Sequence, residues 1–209
     1  MIFPTLAFVL IASAGAGILG ARGLLRMNRR FSRPIAIGTS IGYVILLFWR
    51  PDSPWVPNVS ILLAGICFGF LLGQLLGSSG SVLTFLCTAA IVDMLSFSDG
   101  LTNQIVEAYR SGGSTVLRFL AVFIELGGQE YAVIGVSDIA IVAAAYLGLH
   151  RATGSDWGPA FWLLLGLFFA LLAGTLWGGA PGIPFLAAGA GVFILLQRRN
   201  QARARDQAH

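Results

Sequence analysis

Asp93 and Asp138 lie inside apolar runs, whereas the chain elsewhere keeps its charges at the ends of such runs. Asp93 follows Ala89-Ala90-Ile91-Val92, and Asp138 sits within Ile134-Gly135-Val136-Ser137-Asp138-Ile139-Ala140-Ile141. Placing Asp at the middle of a membrane helix costs about +2.5 to +3.5 kcal/mol, so an acid at that depth marks a function by default. Two carboxyl groups facing each other in a low-dielectric site cannot both ionise. One keeps its proton and the other serves as a base. The ionised member can take a proton from a water while the protonated member polarises a peptide carbonyl, and the water then adds to give a tetrahedral diol. That chemistry needs no metal and no bound cofactor, and neither is expected. Cys67 and Cys87 lie in apolar runs and read as small packing residues, and His150 and His209 are the only histidines, so no zinc pattern is present.

The elements that must position these acids are membrane helices. Of 209 residues, 56% are hydrophobic and 11% are charged, which points to an integral membrane protein. The apolar runs are continuous rather than alternating, which favours helices over a membrane barrel, and 27 glycines suit helices packed closely in lipid. All 13 basic residues are Arg, and they flank apolar runs. The net charge of +4 is therefore read as a topology signal and not as a nucleic-acid surface.

Seven apolar stretches stand out, at about 2–25, 35–48, 59–76, 81–97, 131–149, 159–177 and 183–197. The expected fold is thus an all-α bundle of about seven transmembrane helices in a single membrane domain over 1–209. The first stretch has no basic residue before it and is expected to be a retained helix. The alternative, a cleaved signal peptide, rests on the small residues at 12–16. Arg22, Arg26, Arg29, Arg30 and Arg33 crowd the first loop, and Arg198, Arg199, Arg203 and Arg205 crowd the tail. With seven spans these clusters share one side with Arg151, which predicts an outer N-terminus and a cytoplasmic C-terminus.

The longest loop, about 98–130, then lies outside. Apolar residues at 101, 105, 106 and 109 suit a short interfacial helix. The stretch 116–124 is rich in β-formers, too short and too charged for a span, and is read as a possible strand or re-entrant piece. A loop that merely packs on the helices stays open beside that reading. Gly135 precedes Asp138 by three residues and is expected to let a second backbone or a substrate approach the acid. In Gly178-Gly179-Ala180-Pro181-Gly182-Ile183-Pro184, two prolines and three glycines are expected to loosen the start of the last helix and free backbone groups inside the membrane. A plain tight turn is the alternative.

In order, these features resemble the presenilin and signal peptide peptidase family of intramembrane aspartyl proteases, as a short, prokaryotic-looking member. The family pattern of Tyr-Asp, Gly-x-Gly-Asp and Pro-Ala-Leu has as counterparts Val92-Asp93, Gly135-Val136-Ser137-Asp138 and Pro181-Gly182-Ile183. The turn Gly154-Ser155-Asp156-Trp157 is also similar to one in presenilins. The resemblance runs from Val92 to the C-terminus. It implies a presenilin-like core of four spans over 81–209, preceded by three spans over 1–80, about two fewer than the family's nine. It also implies catalysis by Asp93 and Asp138, a substrate-facing role for Gly135, Val136, Ser137, Pro181, Gly182, Ile183 and Pro184, and transmembrane peptides as substrates. The expected location is a prokaryotic inner membrane, and the expected orientation is that of signal peptide peptidase, which favours substrates with a cytoplasmic N-terminus. By the same resemblance, 116–124 would pair with an unwound substrate beside Asp138. Val92, Ser137 and Gly182 depart from the pattern, so a proteolytically inactive homologue that binds membrane segments stands beside the protease reading.

Other readings fit the residues less well. Prepilin peptidases share Gly-x-Gly-Asp but carry a basic residue soon after the second acid, where this chain has Ile139-Ala140-Ile141. A rhomboid-type serine protease would use Gly77-Ser78-Ser79-Gly80 and needs a facing histidine, but His150 lies at a span end. A proton- or cation-coupled transporter would use both acids, though no inverted repeat accompanies them.

Overall fold

The computed structural model of the chain describes residues 2–49, 55–99, 119–177 and 180–207. In order, the described elements are α1 (Ile2–Arg26), α2 (Arg29–Trp49), α3 (Trp55–Gly73), α4 (Ser79–Asp99), β1 (Ala121–Leu126), β2 (Gln129–Gly135), α5 (Val136–Thr153), α6 (Trp157–Trp177) and α7 (Ile183–Asp206). Among the described residues five helices are long and apolar enough to cross a membrane: Phe3–Arg26, Arg29–Trp49, Trp55–Gly73, Ser79–Phe97 and Trp157–Leu176. Helices α5 and α7 fall short of that measure, which corrects the expectation of seven equivalent spans. The expected fifth span loses 131–135 to a strand, so α5 starts at Val136. Helix α7 is apolar only in its first half and continues as a helix through the arginine-rich tail to Asp206. The expected interfacial helix at 101–110 lies outside the described residues.

Helix α5 is the centre of the bundle. All residues from 139 to 149 except Ile141 are buried, and α3, α1, α4 and β2 pack around it. Its contact with α3 is the most extensive between any two helices. Gly65, Gly69 and Gly73 recur every fourth residue, so they form one stripe along α3, and that stripe meets α5. A Cβ on Gly65 would lie 2.7 Å from Ile139 Cβ. One on Gly69 would lie 2.5 Å from Ala143 Cβ and 2.6 Å from the Ala140 carbonyl oxygen, and one on Gly73 would lie 2.9 Å from Leu147 Cβ. Lipid tails are as apolar as side chains, so helices associate in a membrane through this kind of close van der Waals fit. Cys67 is buried in α3, but Cys87 is exposed on α4, so the packing role expected for both cysteines holds for Cys67 alone.

The helix starts and stops have local causes. Ser78 caps α4: its hydroxyl accepts the Ser81 N–H (3.1 Å), and its own N–H donates to Ser81 Oγ (3.1 Å). This reciprocal box accounts for the Gly-Ser-Ser-Gly turn without any catalytic serine. Gly154 ends α5 in the left-handed region (φ 69°), and its N–H donates to the His150 carbonyl (2.7 Å). Between β1 and β2, Gly127 (φ 63°) and Gly128 (φ 79°) form a two-residue turn with both central residues at positive φ. Glycine is favoured at both places of such a hairpin turn. The strands pair antiparallel from Leu126↔Gln129 to Ala121↔Gly135, with an irregularity between Val122 and Phe123. The bundle is mainly helical as expected, and the strand expected at 116–124 is found at 121–126, paired with a second strand at 129–135.

The arginine-bearing helix ends share one end of the bundle. Arg22 of α1 pairs with Asp156 before α6. Arg33 of α2 donates to Gln74 after α3 (2.9 Å), and Arg151 of α5 donates to the Gly73 carbonyl (3.2 Å).

Gly69→Ala is expected to force α3 and α5 apart and to cost about 1–3 kcal/mol, as overpacking does. The melting temperature in detergent should fall by several degrees. Gly38→Ala, where nothing lies within 4 Å of the added Cβ, should leave it unchanged or slightly higher.

Candidate functional site

Asp93 and Asp138 lie at the end of the bundle opposite those arginines. Asp93 sits six residues before the end of α4, half-buried, on a helix that packs mainly against α7 and also against α5. Asp138 is the third residue of α5 and is also half-buried. Helices α4 and α5 pack together and run antiparallel, with Gly148 of α5 against Val82 of α4, so both acids lie toward the same end of that contact.

Each acid holds a backbone N–H at the start of a helix. Asp138 Oδ2 accepts the N–H of Gly135 (3.0 Å), the residue just before α5. This is one half of a capping box, and it places the carboxylate where the helix dipole favours negative charge. Asp93 Oδ2 accepts the N–H of Ile183 (2.9 Å), the first residue of α7. The first N–H groups of a helix have no partner within it, and in apolar surroundings they must find one elsewhere. Pro184 removes the next N–H of α7, and Ile183 itself is buried (6% exposed). The backbone N–H expected to be free at this proline-rich start is instead bonded to Asp93. Pro181, Gly182 and Pro184 are half-buried beside it, and Gly178 and Gly179 lie outside the described residues.

Gly135 is extended (φ −79°, ψ 158°) and precedes the helix, so it is not a helical turn below Asp138. The capping contact nevertheless brings it against the acid. A Cβ on Gly135 would lie 3.1 Å from Asp138 Oδ2 and 3.4 Å from Ser137 Oγ, with the Leu120 carbonyl oxygen at 3.7 Å. The space that glycine leaves is taken by the carboxylate of its own chain. Val136 N–H donates to the Leu120 carbonyl (2.9 Å), which stitches the start of β1 to the start of α5. Ser137 is exposed. The residue after Asp138, Ile139, is fully buried, and its side chain contacts the faces of Gly17 on α1 and Gly65 on α3. The backbone of the second acid is therefore positioned by two other helices.

Two polar side chains that were not among the expected site residues hold the hairpin in place. Tyr43 of α2 donates its hydroxyl to the Phe119 carbonyl. Asn58 of α3 accepts the Phe123 N–H (3.1 Å) and donates to the Phe123 carbonyl (3.1 Å), as a neighbouring strand would. The signal available for both is a polar group in or beside an apolar run, the same signal that exposed the two acids. Among the described residues no group of three or more His, Cys, Asp or Glu is placed to hold a metal ion.

Asp93→Ala is expected to leave the Ile183 N–H without an acceptor, a loss of about 1–3 kcal/mol. Hydrogen–deuterium exchange at the Ile183 amide should then quicken by about tenfold or more, whereas Asp93→Asn, whose amide oxygen still accepts, should change it little. In comparison with known proteins, no protein-family model, no curated protein and no solved structure matches this chain.

Proposed function

We propose that the chain is an intramembrane aspartyl protease similar to the presenilin and signal peptide peptidase family, with Asp93 and Asp138 as its catalytic pair. The observation that carries this reading is the meeting of three elements. The acid of α4 holds the first N–H of α7, and α5, whose first turn carries the other acid, packs against α4. Each acid commits Oδ2 to a backbone donor. The two Oδ1 atoms are the ones to share a water and a substrate carbonyl.

In the proposed reaction the ionised carboxylate removes a proton from water as the water oxygen bonds to the carbonyl carbon of the scissile peptide. The protonated carboxyl gives its proton to the carbonyl oxygen, and a gem-diol forms. Return of one diol proton to the carboxylate, protonation of the amide nitrogen and cleavage of the C–N bond yield an acid and an amine. Both carboxyl groups then share one proton again.

The substrate class is a transmembrane peptide segment, and the partner environment is the lipid bilayer. Seven crossings, counting α5 and α7, are part of the proposal, as are an outer N-terminus, a cytoplasmic C-terminus and a prokaryotic inner membrane. The arginine-bearing ends lie together, as cytoplasmic ends would. In this orientation the acids sit toward the outer face, and substrates with a cytoplasmic N-terminus are favoured.

A second reading is a homologue that binds membrane segments without cutting them. It has its own observation: both acids already perform a structural task at a helix start. Val92, in the place of the family's tyrosine, is 61% exposed.

Asparagine variants separate the readings, because they keep the acceptor and lose the acid–base chemistry. Full-length protein in liposomes should cleave a single-span reporter, and Asp93→Asn and Asp138→Asn should each lower the rate by about 100-fold or more at unchanged melting temperature. Cleavage that survives either change refutes the mechanism. Reporter binding without cleavage in the unmodified chain supports the second reading, and proton-coupled uptake lost in both variants would point to a transporter.

A further inference from the structure

The opposite end of the bundle carries a charge problem that the proposed chemistry does not use. Arg29 and Arg33 are four residues apart on α2 and therefore share a face. Arg33 Nε donates to Gln74 Oε1 (2.9 Å), and Arg151 of α5 donates to the adjoining Gly73 carbonyl (3.2 Å). Two guanidinium groups from different helices thus converge on consecutive residues at the C-terminus of α3. The charges of both Arg29 and Arg33 are felt at Arg151.

No acidic side chain answers this cluster among the described residues. Asp156 is committed to Arg22 and to His150 Nδ1 (3.3 Å), and Asp206 lies at the far end of α7. The carbonyls that close α3 offset the arginines only in part, since a helix C-terminus carries about half a negative charge. Arg29, Arg33 and Arg151 are all exposed. Arg29 and Arg33 open the apolar helix α2, and Arg151 lies in the last turn of α5, and basic residues at the ends of membrane helices meet the headgroup region.

We infer that Arg29, Arg33 and Arg151 form a binding site for the phosphodiester headgroup of an anionic phospholipid. Guanidinium groups suit this ligand because their planar N–H pairs match phosphate oxygens two at a time. One phosphate between α2 and α5 would bridge these two helices across the end of α3. The lipid is favoured over a free anion because its acyl chains can lie along the exposed apolar flank of α2, where Ile37, Ile41 and Val44 are open. The site is distinct from the acids and does not depend on their being catalytic.

The test uses detergent-solubilised full-length protein titrated with short-chain phosphatidylglycerol, with binding read by native mass spectrometry and by the shift in melting temperature. Each of Arg29→Gln, Arg33→Gln and Arg151→Gln should weaken binding about fivefold, and any pair about 25-fold. Arg203→Gln with Arg205→Gln, the same loss of charge on the exposed tail, should change it less than twofold. Arg29→Gln is the safeguard against misfolding, because Arg29 makes no side-chain hydrogen bond among the described residues. Equal weakening by the tail variant would reduce the effect to diffuse charge and overturn the site. Unchanged binding in the Arg33/Arg151 double variant would overturn it as well. Full competition by inorganic phosphate at the same concentration as the lipid would replace the lipid with a free anion and also overturn the proposal.

Discussion

Everything at the acid end depends on how closely α3 approaches α5. Gly65, Gly69 and Gly73 let α5 lie almost backbone to backbone on its neighbour. Ile139 lies against Gly65 and Gly17, so the peptide that carries Asp138 is positioned by α1 and α3 together. From that anchored helix start the chain runs backward into β2, across Gly128 and Gly127, and into β1. The hairpin in turn is tied to α3 by Asn58 and to α2 by Tyr43. A small displacement at the glycine stripe would therefore be felt at the acid, at the strand pair and at two further helices.

A second constraint acts on the acids themselves. In water, the unpaired N–H groups of a helix start are satisfied by solvent. In apolar surroundings they need an acceptor from the protein. Asp93 and Asp138 supply it for Ile183 and Gly135. Asp93 is thereby oriented by the first residue of α7 and Asp138 by the last residue of β2, and each of these bonds uses Oδ2 alone. In the proposed reaction, structure and chemistry would then use different oxygens of the same carboxyl group.

The parts of this arrangement that could be read from the residues are those in which one residue contradicts its neighbours. Asp93 and Asp138 stand out because charge is expensive in apolar runs, and Pro181 and Pro184 because proline interrupts a helix start. The hairpin did not stand out in the same way. Tyr131, Ala132, Val133 and Ile134 are apolar or aromatic, and a short apolar run does not distinguish a buried strand from the first turn of a span. Gly127-Gly128 was the available clue, since two glycines between β-formers favour a two-residue turn. The tail of α7 was read as a polar extension because hydropathy reports what can enter lipid. Its Gln, Ala and Arg residues are good helix formers, and they carry the helix on past the apolar part. The glycine stripe was visible as a four-residue repeat, but a repeat does not name its partner helix.

The length of α5 bears on where the chemistry can occur. Its 18 residues correspond to about 27 Å of helix, close to the roughly 30 Å hydrocarbon thickness of a bilayer. Asp138 lies in the first turn and Arg151 in the last, each at the helix end whose dipole favours its charge. Asp93 is six residues from the end of α4, about 9 Å along the axis. If α5 crosses the membrane as proposed, the acids lie near one surface and not at the midplane, and the cost of a charge at the bilayer centre overstates the cost of holding them. Proximity to that surface also answers a requirement of any hydrolytic reaction at this site. Any water that serves the proposed reaction would have to reach that end of α5, where β2 leads directly into the helix.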